Sequence, residues 1–224
     1  GPEYESWGIK YAVLYGDNGN MQDKVWKDLD TFLSQTFEKP DGTKLKIIAT
    51  CIDSGGHRSN QVYKFCKPRF NRRIFAIKGS NDSAAAYIQK PTKSNREQAY
   101  LFTIGVDTGK SWLMDRLKLE EPGPGFCHFP REDGRGYDEK YFKGLTSEKK
   151  VMRYKMGRPY FAWELKDRGE HRRNEALDCR NYATAAIEIT GLPLKKPEDP
   201  EKKQQTASSP AKRKKRGRRS GGVN

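Results

Sequence analysis

The apolar positions of this chain alternate between strand-like and helix-like spacing. Trp7 to Tyr15 (WGIKYAVLY) is rich in aromatic and β-branched residues and predicts a strand, ended by Gly16-Asp17-Asn18-Gly19. From Gln22 to Phe37, Val25, Trp26, Leu29, Phe32 and Leu33 fall at helical spacing and predict an amphipathic helix. A Pro40-Asp41-Gly42 turn follows, and Leu45 to Ile52 (LKIIATCI), apolar on both faces, reads as a central strand. Ser59 to Phe65 predicts a short helix, Arg73 to Ile77 and Tyr100 to Ile104 predict strands, and Lys110 to Leu117 another helix. The polar stretch from Gly79 to Gln98 reads as a mobile loop, and Pro122-Gly123-Pro124-Gly125 breaks the chain before Phe126 to Phe129. Met152 to Leu165 predicts a hairpin around Gly157-Arg158-Pro159. The last helix runs from Glu175 to Ile189, with Ala176, Leu177, Tyr182, Ala185 and Ala186 as its packing face, and Leu192-Pro193 ends the fold. This order predicts an α/β domain over residues 1–194 with helices packed on a mixed sheet.

Composition changes that picture at one end. The 224 residues carry a net charge of +15 with a mean hydropathy of -0.99. From residue 195 to 224 there are eleven Lys/Arg against Glu198, Asp199 and Glu201, so this tail holds +8 and the rest of the chain +7. A polycation such as Ala211 to Arg219 is expected to be disordered and to bind nucleic acid nonspecifically through counterion release, and it resembles a nuclear-localisation run. No apolar run approaches the roughly 18–20 residues of a membrane span, and no signal peptide opens the chain. Cys51, Cys66, Cys127 and Cys179 form no C-x-x-C pair, which argues for reduced thiols and against a zinc ribbon or disulfide scaffold.

The candidate chemistry lies in carboxylates. Asp53 stands where the run Ile48-Ala49-Thr50-Cys51-Ile52 breaks into Ser54-Gly55-Gly56-His57, 125 positions before Asp178. It has two readings: a cap for the following turn, or a rigidly held metal ligand beside a Gly-Gly turn that lets a phosphate approach. Glu175 and Asp178, at i and i+3, are expected on one face of the last helix after the cationic pair Arg172-Arg173. An acidic first turn complementing the helix dipole explains Glu175 better than Asp178. Asp178 borders the Ala-rich packing face, and a carboxylate there needs a metal or cation to offset desolvation.

Asp107 lies in Ile104-Gly-Val-Asp-Thr-Gly-Lys110-Ser111, a near miss of the G-x-x-x-x-G-K-[ST] loop, because Gly105 comes one residue too late. It reads as a helix N-cap with Lys110 as a phosphate contact, not as an ATPase loop. His57, His128 and His171 are isolated, and the adjacent Cys127 and His128 would point to opposite faces of a strand.

Taken in order, ESWGIKYAVLYGD, VWKDLD, IDSGGHRSNQVYKF, FAIKG, IGVDTGK, HFP, YFKGLTSEK and RRNEALDCRNYATAA resemble the nuclease domain of phage terminase large subunits of the lambda-like gpA type, over residues 3 to 190. Their shared order, more than any single motif, carries the resemblance. It implies an RNase H-like nuclease in which clustered acids bind two Mg²⁺ or Mn²⁺ ions about 3.5–4 Å apart and cut double-stranded DNA during packaging. By motif position Asp53 matches the acid on the central strand and Asp178 the acid on the last helix, with Glu175 a second-rank candidate. The family carries its first catalytic acid on a strand upstream of the segment matching Glu3 to Trp7, so the domain is expected to lack that strand. Asp53, Asp107 and Asp178 form the second-ranked triad. The resemblance further implies a small terminase subunit and a portal protein as partners, a place at the procapsid in the host cytoplasm, and no ATP hydrolysis by this chain alone. The rival reading is a noncatalytic DNA-binding or assembly module in which the acids only cap turns. It predicts that Asp53 and Asp178 stay apart.

Overall fold

The computed structural model describes residues 1–166 and 173–194. The expected tail at 195–224, together with His171 and Arg172, lies outside the described residues. The centre is a four-stranded mixed sheet built from β4 (Thr50–Asp53), β5 (Ile74–Gly79), β6 (Thr92–Lys93) and β7 (Tyr100–Ile104). Its order is β4-β5-β7-β6, with the first three parallel and β6 antiparallel to β7.

Strand β5 shows why this sheet is covered on both sides. Successive side chains point to opposite faces. Ile74 and Ala76 join Trp26, Val62, Phe65 and Cys66 on one face, whereas Phe75 and Ile77 join Tyr87, Phe102, Ile104 and Ala185 on the other. The first face is closed by α1 (Lys24–Leu33) and α2 (Ser59–Cys66), the second by α5 (Glu175–Thr190). Asp23 starts α1 by accepting a hydrogen bond from the Val25 backbone N–H at 2.9 Å. A third core joins Leu113 of α3 (Val106–Arg116) to Tyr141 and Leu145 of α4 (Glu139–Leu145) and to Ala176 and Leu177 of α5.

Helix α3 crosses α5 at close range through Gly109. A β-carbon there would collide with the Asn181 side-chain oxygen and the Tyr87 ring. Tyr87 donates its hydroxyl to the Asn181 backbone oxygen at 2.6 Å and to its side-chain oxygen at 2.9 Å. The expected mobile loop at 79–98 is therefore an ordered connection. Ala85 and Tyr87 are buried, and Ile88 bridges Ile104.

Four further expectations are corrected. Only β1 (Ser6–Trp7) of the predicted Trp7–Tyr15 strand forms, paired in parallel with β8 (Cys127–His128). Beyond it, Val13, Leu14 and Tyr15 are exposed, and strand propensity without a neighbouring strand produces no ladder. The predicted Leu45–Ile52 strand splits. Its first half, β3 (Lys44–Lys46), folds back on β2 (Thr36–Glu38), which also cuts the predicted Gln22–Phe37 helix short at Leu33. Its second half is β4, an edge strand among the described residues instead of a central one. The hairpin predicted for 152–165 is real but longer: β9 (Glu148–Lys155) pairs antiparallel with β10 (Arg158–Leu165). Its tip is Met156-Gly157, both at positive φ (50° and 76°), the two-residue turn whose twist suits a hairpin.

Candidate active site

Asp53 is the last residue of β4, and α5 runs past that end of the strand. Asp53 Oδ1 accepts the Gly55 N–H at 2.7 Å, and Oδ2 accepts the Tyr182 hydroxyl at 3.2 Å. One carboxylate thus caps the Ser-Gly-Gly turn and is also tied to α5. Asp178 lies one turn before Tyr182 on the same helix, and the two carboxylates interact electrostatically.

Behind Asp178 lies a buried ion network. Lys110 of α3 gives its ammonium to both oxygens of Glu148, at 2.9 and 2.8 Å, with both side chains under a tenth exposed. The same ammonium stands 3.1 Å from Asp178 Oδ1. Asp178 Oδ1 is buried, and what it faces is this ammonium, shared with Glu148. Asn174, just before α5, donates to Glu148 Oε1 at 2.6 Å.

The electrostatics follow from burial. Desolvation pushes the Asp178 carboxyl above its ordinary range, Lys110 opposes this, and Glu148 and Asp53 add to it. Burial also raises the Tyr182 phenol, with Asp178 and Asp53 next in effect, so Tyr182 remains a hydrogen-bond donor at neutral pH. Cys179, exposed as a residue, has its thiol pushed up to about 11 by desolvation and by Asp178 and Glu175.

Residues 1–199 match the family described as "Terminase large subunit gpA, endonuclease domain". The chain belongs to this family. It is 33% identical over 194 residues to the terminase large subunit of Escherichia phage lambda, covering 85% of this chain and 29% of that protein. It is 29% identical over 167 residues to the terminase large subunit of Enterobacteria phage P21, covering 72% of this chain and 25% of that protein. The chain therefore spans under a third of the length of these relatives. No solved structure matches it.

Within this gpA-type domain the sequence candidates separate. Asp53 and Asp178 share one end of the sheet, linked through Tyr182. Glu175 is exposed in the first turn of α5, and its charge acts on Tyr11 and Cys179. Three residues turn a helix by about 300°, so the two acids diverge by about 60°. Asp107 is not the N-cap of α3: Gly105 holds that position, and Asp107 lies in the first turn. Its carboxyl is raised by burial and feels Lys110, Lys150 and Glu148. Lys110, expected to meet phosphate, is committed to Glu148 and Asp178. His57 is exposed, and His128 stacks on Trp7 and bonds Glu5 at 2.7 Å.

Sequence reasoning missed Glu148 and Asn174. Glu148 looks like one more charge in Ser147-Glu-Lys-Lys150, and only its place in the YFKGLTSEK segment could have drawn attention to it. Among the described residues no three His, Cys, Asp or Glu side chains converge as a metal-binding group. Asp53 and Asp178 lie on the two elements that the Tyr182 hydroxyl joins, β4 and α5. Mg²⁺ is held in many enzymes by one or two carboxylates, with water and substrate phosphate completing the shell, and this donor set fits that pattern.

Proposed function

We propose that this domain is a metal-dependent endonuclease that cuts double-stranded DNA within a packaging terminase. The single observation that supports the reading best is Asp178, a half-buried carboxylate facing an ammonium shared with Glu148, on the helix whose Tyr182 bonds Asp53 at the end of β4. Burial of this carboxylate is only partly offset by an ammonium it shares with Glu148, and a divalent cation held with Asp53 would add compensating charge.

Asp53 and Asp178 would hold the ion. Bound there, Mg²⁺ or Mn²⁺ would polarise the phosphodiester and lower the pKa of an attacking water. The chain's own groups set the conditions. Tyr182 and the Gly55 N–H fix the Asp53 carboxylate. Lys110, anchored by Glu148, holds positive charge against Asp178 and favours its ionised form. Gly55 keeps the approach open, since a β-carbon there would sit 3.1 Å from Asp53 Oδ1.

A two-ion, RNase H-like centre needs further oxygen ligands. The outer edge of β4, which has no strand partner among the described residues, is where a strand carrying another acid would pair. The same reading places the domain at the procapsid with a small terminase subunit and a portal protein as partners.

The test is plasmid cleavage with Mn²⁺, with Mg²⁺ and with EDTA, beside Asp178→Ala. Metal-dependent nicking lost in the variant supports the nuclease. DNA binding with no cleavage under any metal, in a chain extended upstream as well, would favour the noncatalytic module.

A further inference from the structure

The β9–β10 ribbon extends well beyond the one residue it gives to the carboxylate network. The register Met152↔Phe161 and Tyr154↔Pro159 sorts its side chains onto two faces. On the first face, which begins with Glu148, stand Met152, Tyr154 and Phe161, exposed by 53%, 70% and 50%. Lys150, on the same face, lies 5.0 Å over the Phe161 ring and bonds Ser111 of α3 at 3.0 Å. The second face carries Lys149, Arg153, Lys155 and Arg158, all exposed.

We infer that this ribbon is a DNA-binding arm that seats in a groove of the duplex entering the site. Three observations carry the assignment, which rests on the DNA reading given above. First, charge is complementary: the two strands hold five Lys/Arg against two acids, and those acids, Glu148 and Glu164, are engaged by Lys110 and Arg153. Second, a two-stranded ribbon is one of the two protein elements that fit the DNA major groove, roughly 12 Å wide. Third, the ribbon starts at Glu148, so a duplex lying along it is led towards Asp178 and Asp53. Lys149, Lys155 and Arg158 meet phosphates, while Met152, Tyr154 and Phe161 meet sugars and base edges.

The experiment measures affinity for a short fluorescent duplex across a KCl series in EDTA, with the full chain, so that binding is read without any cleavage. Lys149→Ala/Lys155→Ala/Arg158→Ala should flatten the log–log salt dependence by about 0.9 per lost phosphate contact, about 2.7 in all. Lys27→Ala/Lys44→Ala/Lys46→Ala, on α1 and β3, removes equal charge and should leave the slope near that of the parent. Equal flattening in both variants, or none in the first, overturns the arm. Met152→Ser/Tyr154→Ser/Phe161→Ser should weaken binding at unchanged slope. Parent DNA affinity with altered self-association in sedimentation would make this face a protein contact instead and overturn the proposal. Because EDTA silences cleavage, failure of the nuclease reading leaves this result intact. A charge variant that keeps the parent's duplex affinity and metal-dependent nicking would sink the arm alone.

Discussion

The Lys110 ammonium lies 3.1 Å from Asp178 Oδ1 while both of its hydrogen bonds go to Glu148. One buried cation thus serves two carboxylates, one of them in the candidate site. Removing it leaves two acids uncompensated at low dielectric. Lys110→Met should therefore destabilise the fold by about 3–5 kcal/mol in urea unfolding, whereas Lys110→Met/Glu148→Leu should recover most of that loss. A single variant as stable as the parent would refute the shared-cation role. If the double variant folds but no longer nicks DNA, Lys110 acts on Asp178 and is more than a structural tie.

Asp178 also makes a pH prediction. Its carboxyl is raised above the ordinary 3.8 by burial, so the folded state keeps a proton that the unfolded chain releases. Stability from this group is full below 3.8 and is lost as pH rises through the raised folded value. Relative to Asp178→Asn, the parent should lose stability as pH climbs through this window, measured by thermal melts in EDTA. Adding Mn²⁺ at neutral pH should reverse the trend in the parent only, by about 2.7 kcal/mol at one hundred times the dissociation constant. Equal Mn²⁺ stabilisation of both proteins would place the ion elsewhere.

How much of this was legible depends on how local the signal is. Helix α2, strands β5 and β7 and helix α5 were readable because apolar spacing alone defines each of them. Asp53 and Asp178 were readable as candidates because one ends an apolar run and the other borders a small-residue helix face. Glu148 was not, since its importance comes from Lys110, 38 positions away, and no periodicity marks such a pair. The fate of Trp7–Tyr15 was equally hidden: strand propensity does not say whether a partner strand exists. The Gly79–Gln98 stretch misled through average polarity, while a few positions, Ala85, Tyr87, Ile88 and Ser94, supply its buried contacts.

Tyr182 donates its hydroxyl to Asp53 Oδ2 at 3.2 Å, across the gap between α5 and β4. Tyr182→Phe keeps the ring's packing in the sheet core and removes only that bond. Groups that orient a metal-binding carboxylate typically contribute 10–100-fold to affinity or activity. Nicking should fall by about that factor, with the loss largest at low Mn²⁺, while stability changes by about 1 kcal/mol or less. Unchanged nicking across a metal titration would separate Tyr182 from the site.

Gly109 tests the packing that holds the site together. It lies where α3 crosses α5, and a methyl group there would strike Asn181 and the Tyr87 ring. Alanine has the higher helix propensity, worth up to about 1 kcal/mol in an open helix, so a stabilised variant is the naive expectation. Overpacking a close crossing costs about 1–3 kcal/mol, and the displaced Asn181 also loses the hydroxyl bond from Tyr87. Steric cost should therefore win, and Gly109→Ala should unfold at lower urea than the parent. The strain should also reach the chemistry, because α3 carries Lys110 and α5 carries Asp178 and Tyr182. Nicking measured under fully folded conditions should drop. A stabilised Gly109→Ala would mean that the two helices can separate without cost, and that the spacing of Lys110 and Asp178 is not set by this crossing.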